Sequence, residues 1–341
     1  MKAIKIEQPR QITVVDIDEP QMGHDDVLLK IEYVGFCGSD LNTWRGRNLL
    51  AKDPVVPGHE VSAIVEAIGE DVPATSGLCI GQRVTVNPYS ACGHCASCRN
   101  NRPNACENNQ TLGVQRDGAM QERLAINWQK VIPVGDLDAR HVALIEPLSV
   151  GFHAVSRAQV TANDRVLVIG CGIVGLGAVL AAACRGAQVE VCDLDKDKIA
   201  VANEMIQNVR SIGRPEGQSI DTPKRPDAFD VVIEAVGAAA TYRMAVESVD
   251  FTGRIVCIGY APADIPLPTN LFVKKELDVR GSRNALPADF EAVIQALQSG
   301  AVPCDRFISR IIQPAEAAEA LEQWDAAPGR VFRILTNFSK Q

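Results

Sequence analysis

The chain has 341 residues, of which 46% are hydrophobic and 22% charged. At ~100–200 residues per domain this describes two folded domains and excludes a disordered or low-complexity chain. Acidic residues outnumber basic ones 42 to 34, a net charge of −8, so the overall field repels polyanions and nucleic acid is not an expected partner.

Up to about residue 140 the chain reads as short strands bounded by Gly, Pro or Asp: KAIKI, ITVVDI, DVLLKIEYVG, SAIVEAIG and QRVTVNPY. Residues 1–20 alternate apolar and charged positions without a continuous apolar run, so no signal peptide and a cytoplasmic location are expected. His141 to Ala158 carries apolar residues at helical intervals, with Pro147 where a helix must start or kink. This stretch is the expected junction between domains. Residues 166–285 then alternate strands with helices (RVLVIG, QVEVCD, a helix over about Lys196–Val209, FDVVIEAVG, a helix near Thr241–Val249, GRIVCIGY, LDVRGS), which predicts a parallel sheet. Residues 210–228 are polar and proline-dotted, an expected irregular connection. The tail predicts helices near Ala288–Ser299 and Pro314–Asp325 and a last strand in RVFRIL.

Val166 to Cys184 is a run of 19 uncharged residues long enough to suggest a membrane span. Gly170, Gly172, Gly175 and Gly177 punctuate it where a strand would turn into a helix, so a buried strand-turn-helix unit is the better reading and no membrane partner is expected. Within it, Gly170-Cys171-Gly172-Ile173-Val174-Gly175 follows a strand and opens a helix, the context of a dinucleotide fingerprint. The glycines serve a tight turn, close approach of a pyrophosphate and helix–strand packing, and the helix N-terminus favours the phosphates. Asp193 ends the next strand 18 residues after Gly175, where a carboxylate accepts from the adenosine ribose. At ~4 Å and an effective dielectric of about 20 it would repel each charge of a 2′-phosphate by roughly 4 kcal/mol. NAD is therefore expected over NADP, with FAD open on the same fingerprint. Lys198 is a second ribose candidate or a solvated charge.

Eleven cysteines, an odd number with four crowded into residues 92–106, favour metal binding over a disulfide framework. Cys92, Cys95, Cys98 and Cys106 suit a tetrahedral all-sulfur Zn²⁺ site with no vacancy for substrate, hence a structural role; His94 reads as a bystander. Free thiols or an iron–sulfur cluster are the alternatives. Cys37 in GFCGSD, His59 and Glu60 in PGHE, and Glu146 in IEPLSVG form a second, diffuse set that spacing alone does not reveal.

The segments GFCGSD, PGHE, the four-cysteine lobe, LGVQRDGAMQE, IEPLSVGFHAV, VIGCGIVGLG and DVRGSRNALPADF together resemble the zinc-dependent medium-chain alcohol dehydrogenases along essentially the whole chain. EPLSVG resembles the polyol (sorbitol, xylitol) and threonine dehydrogenase branch, and GSRN is similar to its bacterial sugar-acid dehydrogenases. The resemblance implies an α/β fold: a GroES-like β-barrel catalytic domain over 1–150 with the zinc lobe at 92–106, a doubly wound Rossmann domain over 151–285, and a segment 286–341 returning to the first domain. It makes Cys37 and His59 ligands of a catalytic zinc, with Glu60 and Glu146 exchanging as ligands, one directly and one through water. Ser39 takes the substrate proton, Asp40 fixes the His59 ring, and Arg283 lies near the substrate.

Relatives that relay the proton through a histidine have it where this chain has Asn42, which does not titrate, so the route beyond Ser39 runs elsewhere. Residues between Asn203 and Asp227 depart from the family spacing, and His141 and His153 take no role. The implied activity is NAD⁺-dependent oxidation of a secondary alcohol of a small polyol or sugar acid, using one catalytic and one structural zinc in a dimer or tetramer. An L-threonine-type amino-alcohol dehydrogenase, a catalytically silent nucleotide-binding zinc protein and a zinc-free quinone reductase are the rival readings.

Overall fold

The computed structural model describes residues 1–51, 53–205, 210–211, 228–261 and 263–339. The chain divides into two compact units, Met1–Glu146 with Cys304–Gln341, and Pro147–Pro303. The strands of the first segment are β1 (Lys2–Gln8), β2 (Gln11–Asp16), β3 (Asp26–Phe36), β4 (Glu60–Ile68), β5 (Arg83–Val86), β6 (Arg123–Asn127) and β7 (Val131–Pro133). The second unit contributes β8 (Arg165–Ile169), β9 (Gln188–Cys192), β10 (Arg210–Ser211), β11 (Phe229–Glu234), β12 (Val249–Cys257) and β13 (Asp278–Gly281), and the chain ends with β14 (Arg310–Ile312) and β15 (Ile334–Asn337).

In the first unit one sheet runs in the order β14-β15-β3-β4-β5-β7, with β6 also paired to β3, while β1 and β2 form a separate hairpin. Period-two patterning puts Val27, Leu29 and Ile31 of β3 and Val61, Ala63 and Val65 of β4 into one core while Lys30 faces water. The long β3 is therefore the spine: β4 pairs with it from Val27 to Gly35, β6 pairs with its start from Asp26 to Lys30, and β15 joins its far end in antiparallel register, Ile334 opposite Phe36. That pairing draws the C-terminal segment back into the first unit.

The second unit is a parallel sheet in the order β10-β9-β8-β11-β12-β13, the arrangement of a doubly wound dinucleotide fold. Val166 to Ile169 of β8 are all buried, as expected of a strand covered on both faces. The uncharged run resolves into β8 and the helix Ile173–Cys184, and among the described residues no helix is long and apolar enough to cross a membrane. This helix packs tightly on Ile145–Ala158: a Cβ on Gly177 would meet the Leu148 carbonyl oxygen at 2.5 Å, and one on Gly151 would strike backbone of the partner helix. Pro147 lies in the first turn of Ile145–Ala158, where its missing N–H costs no helical bond.

The C-terminal boundary differs from the sequence expectation of 285/286. The helix Pro287–Gln298 belongs to the second unit because Phe290, Val293, Ile294 and Leu297 are buried and Asp289 bonds His153 Nδ1 at 2.8 Å and the Ser156 hydroxyl at 3.3 Å; only residues from Cys304 return. The helix expected over Lys196–Val209 runs from Lys196 to Met205, and of the connection expected at 210–228, Arg210–Ser211 pair with β9 as β10. Residues 206–209 and 212–227 lie outside the described residues.

Candidate active site and metal centres

The diffuse set comes together in the first unit at the mouth of β3 and β4. Cys37 follows the last residue of β3 and precedes the helix Gly38–Trp44, and His59 and Glu60 stand at the start of β4. Register places Glu60 opposite Gly35, and a side chain at Gly35 would collide with the Glu60 carboxyl, so only glycine leaves room for it. One ligand atom from each of Cys37, His59 and Glu60 lies within 4.8 Å of the others.

Several polar atoms in and beside this trio have no hydrogen-bond partner. Both Glu60 carboxylate oxygens, His59 Nδ1, Asp40 Oδ1 and Ser39 Oγ are sealed from solvent without a hydrogen-bond partner. Burial pushes the Glu60 carboxyl well above its ordinary range, against the pull of Arg333. Burial also raises the Cys37 thiol, but the hydrogen bond to His59 and the charges of His59 and Arg333 outweigh it and bring Cys37 down to about 7. Burial opposes a charged His59, yet Cys37, Asp40 and Glu146 hold it well above its ordinary value. Buried orphan donors are rare because each costs free energy, and a sulfur, an imidazole and a carboxylate oxygen form a borderline donor set suited to Zn²⁺. The residues fit a divalent zinc.

Asp40 stands differently from the sequence expectation, and Glu146 and Arg283 have the following surroundings. Glu146 lies outside this trio and accepts a hydrogen bond from the Tyr89 hydroxyl. Asp40 does not hydrogen-bond the His59 ring: its Oδ2 accepts from the Cys37 amide at 2.7 Å, so what it fixes is the Cys37 backbone. Arg283 is exposed in the loop after β13, in the second unit, and the first unit's cluster includes a different arginine.

That arginine, Arg333, was invisible to sequence reading, as was Tyr89. Arg333, 3% exposed, lies 3.1 Å from Glu60 Oε2 and donates to the Phe36 carbonyl at 2.8 Å, bracing the end of β3. The sequence signal was an arginine with apolar residues on both sides of it in VFRIL. Tyr89 is buried, and desolvation with the Glu146 charge keeps its hydroxyl protonated, a donor to that carboxylate. Asn42 is exposed, and His141 bonds Asp305 at 3.1 Å.

Cys92, Cys95, Cys98 and Cys106 form the second group within 4.8 Å, and all eleven cysteines are free of disulfides. The sulfur separation of 3.8 Å (Cys95–Cys106) matches the ~3.8 Å edge of a tetrahedron with zinc–sulfur bonds of about 2.3 Å, and that of 3.4 Å (Cys95–Cys98) is somewhat shorter. The Cys95 amide points at Cys92 Sγ (3.4 Å) and the Cys92 amide at Cys106 Sγ (3.3 Å). The Ser97 hydroxyl and nearby amides bring Cys95 down to about 5, while desolvation and the Cys95 sulfur push Cys98 up to about 11. Crowded sulfurs contending for protons are what a divalent cation relieves, so this group also fits zinc. His94 is exposed, its Nδ1 against the Cys92 carbonyl.

In the second unit, Gly170 has φ +98°, and a Cβ on Gly175 would strike the Gly170 carbonyl oxygen. Gly172 caps the helix Ile173–Cys184, and a Cβ there would meet nothing within 4 Å: open space lies over the helix N-terminus. Ile173 and Val174 form the first helical turn. The Asp193 carboxylate is fixed beside this loop, accepting from the Cys171 amide at 2.6 Å and the Asp195 amide at 2.9 Å. Lys198 is half-buried, its amide 3.4 Å from Asp195 Oδ1. Loop, open cradle and acid suit a dinucleotide.

Comparison with known proteins agrees with both halves. The pattern of the alcohol dehydrogenase GroES-like domain matches residues 23–136, and that of the zinc-binding dehydrogenase matches residues 174–299. The chain belongs to the zinc-dependent medium-chain alcohol dehydrogenase family. It is 31% identical over 330 residues to the L-galactonate-5-dehydrogenase of Escherichia coli K12, with 95% of each chain covered. It is 32% identical to the sorbitol dehydrogenase of Bacillus subtilis 168, covering 95% of this chain and 93% of that one. Among solved dehydrogenase structures, it matches a short chain alcohol dehydrogenase (rspB) of E. coli CFT073 complexed with NADH, with TM-score 0.87, 26% identity and 99% of each chain covered. It also matches a putative zinc-binding dehydrogenase of Sinorhizobium meliloti 1021 bound to NADP, with TM-score 0.88, 29% identity and 98% of each covered. As a member of this family the chain is an oxidoreductase of secondary alcohols that uses zinc and a nicotinamide cofactor.

Proposed function

We propose that the protein is an NAD-dependent zinc dehydrogenase that oxidises a secondary hydroxyl of a polyol or sugar acid to a ketone. The observation that carries this is the gathering of Cys37, His59 and Glu60, with His59 Nδ1 and both Glu60 carboxylate oxygens buried without a hydrogen-bond partner. Cys37, His59 and Glu60 would hold the catalytic zinc, and Glu146, on the same electrostatic network, would be the second carboxylate available to it. When bound, the metal supplies Lewis-acid charge that lowers the pKa of a hydroxyl toward neutrality. Ser39, whose buried Oγ has no partner in the protein, accepts the substrate proton. Asp40 holds Cys37 in place through its amide, and Arg333 limits the rise of the Glu60 carboxyl so that it can serve as a ligand. Cys92, Cys95, Cys98 and Cys106 hold a second, structural zinc.

The nicotinamide ring supplies the hydride acceptor. NAD is favoured over NADP because Asp193 is a carboxylate fixed by two amides where an added phosphate would lie. Arg283, exposed beyond β13, reaches substrate carboxylate or hydroxyls in this reading. A cytoplasmic dimer or tetramer completes it: β13 ends its sheet with Val279 exposed, a paired edge in an oligomer. The experiment is a screen of polyols, aldonates and L-threonine by NADH absorbance, with zinc counted per chain. Two zincs and chelator-abolished turnover with NAD binding retained are expected. Turnover by a zinc-free preparation refutes the mechanism, a preference for L-threonine moves the substrate to an amino alcohol, and a single zinc without turnover leaves a nucleotide-binding protein.

A further inference from the structure

One pair of side chains outside these assignments is out of keeping with its surroundings. Arg116 and Lys130 are both half-buried, and no carboxylate pairs with either among the described residues. Arg116 Nε is sealed from solvent with no partner, and the Lys130 ammonium donates to the Tyr89 carbonyl at 2.6 Å. Desolvation lowers both, and the Arg116 charge lowers Lys130 further. Two neighbouring unbalanced cations are costly to bury, and this chain has acids in excess with which to neutralise them. An anion is the missing partner.

Their place in the fold says which anion. The Gly113 amide closes the turn onto the Arg116 carbonyl at 2.8 Å. The next residues clamp onto the segment before His59: Asp117 Oδ1 accepts from the Val56 amide at 2.9 Å, and the Gly118 and Ala119 amides donate to the Val56 and Gly58 carbonyls at 2.7 and 2.9 Å. A Cβ at Gly113 or Gly118 would strike the Pro57–Gly58 backbone, so the loop is pressed against the residues leading into the ligand. On its other side Leu112 donates to the Pro88 carbonyl at 3.1 Å and Asn87 to the Lys130 carbonyl at 2.8 Å, beside Tyr89 and its bond to Glu146. Both cations are thus anchored on the segments that deliver His59 and Tyr89.

We infer that Arg116 and Lys130 form an oxyanion subsite that holds the acidic end of a polyhydroxy substrate, carboxylate or phosphate, whose reacting hydroxyl meets the Cys37–His59–Glu60 group. The guanidinium offers a planar fork for such a group and the ammonium a point charge beside it. This rests on the reading of the trio as the reaction centre and narrows its substrate class to acids.

The test compares three six-carbon probes on the zinc-loaded full-length protein with NAD: sorbitol, gluconate and sorbitol 6-phosphate. Binding is measured by titration calorimetry and turnover by NADH absorbance. In Arg116→Gln the preference for the anionic probe over sorbitol falls roughly tenfold or more, the scale of one charge-assisted hydrogen bond. Arg116→Lys, which keeps the charge, keeps a larger part of it. Whichever acidic probe shows the fall identifies carboxylate or phosphate as the natural group. A wild type that binds all three alike, or a preference that Arg116→Gln leaves in place, overturns the subsite even if sorbitol is oxidised well. Arg116-dependent binding of gluconate without turnover of any probe supports the subsite and defeats the substrate reading instead.

Discussion

Two glycines of the phosphate loop should fail in opposite ways. At Gly175 a Cβ points into the Gly170 carbonyl oxygen and lies 3.7 Å from the Ala235 Cβ. The obstructing atom is backbone, so no rotamer change relieves the clash. The helix Ile173–Cys184 must back away from β8, and overpacking of this kind costs about 1–3 kcal/mol. For a unit of this size that is a fall in melting temperature of roughly 2–4 °C per kcal/mol. At Gly172 the backbone has φ −66° and ψ 173°, which any residue adopts, and a Cβ meets nothing within 4 Å. Gly172→Ala should therefore leave the ligand-free melting temperature unchanged or raise it slightly, since alanine loses less chain entropy, about 0.4–1 kcal/mol. Its methyl, however, occupies the space over the helix N-terminus that a pyrophosphate needs, and NAD affinity should fall about tenfold or more, at least 1.4 kcal/mol. Differential scanning fluorimetry and quenching of intrinsic fluorescence by NADH read the two effects separately. If Gly172→Ala bound NADH like the wild type, or lost stability as Gly175→Ala does, the loop would be a packing device and the cofactor assignment would fail.

Arg333→Leu strips Glu60 of its buried counter-charge and should cost about 3–5 kcal/mol in chaotrope unfolding, with Arg333→Lys recovering part of it. Burial already raises the Glu60 carboxyl above its unfolded value and losing Arg333 raises it further, so the folded state binds the extra proton and stability falls as pH rises through the ordinary carboxylate range. The deficit should therefore be larger at neutral pH than in mild acid; an equal loss at both would show that Arg333 acts through Phe36 alone. Tyr89→Phe removes a buried donor from Glu146, a loss of about 1–3 kcal/mol, and should lower kcat more than KM; unchanged kinetics would place Glu146 outside the reaction. Cys98→Ser should lower the zinc content by one per chain and open residues 92–106 to protease, while a full zinc complement would mean the lobe binds no metal.

Local pattern and spacing carried what was legible beforehand. The glycine loop, its acid and the four-cysteine lobe are each contained in a short stretch whose period or spacing names its geometry. Glu60 was legible through PGHE by resemblance, but not that Gly35 makes room for it across the sheet, because register is a tertiary property. Arg333 reaches the site only because β15 pairs with β3 almost 300 residues away, and Tyr89 precedes the cysteine lobe with nothing local to mark it. The boundary near residue 303 depended on Asp289 finding His153, again a long-range contact.

The first unit's cluster is an arrangement a stability-optimised fold would not keep. Asp40, His59, Glu60 and Arg333 are buried together at the end of β3, and Asp40 Oδ1, His59 Nδ1 and both Glu60 carboxylate oxygens have no hydrogen-bond partner. Arg333 offsets part of the Glu60 desolvation, and Asp40 meets the Cys37 amide, but neither satisfies His59 Nδ1 or the remaining carboxylate oxygens. Apolar residues in these positions would remove the whole penalty. The surrounding sheet, with Val34, Phe36 and Val61 fully buried, is rigid enough to hold the donors in place at that cost. The group at one end of the two paired strands is a thiol, an imidazole and a carboxyl, three donors that leave a coordination position open, whereas the lobe at 92–106 presents four sulfurs, a complete tetrahedral set. In the proposed function, that difference between the two donor sets is what assigns one to reaction and the other to clamping.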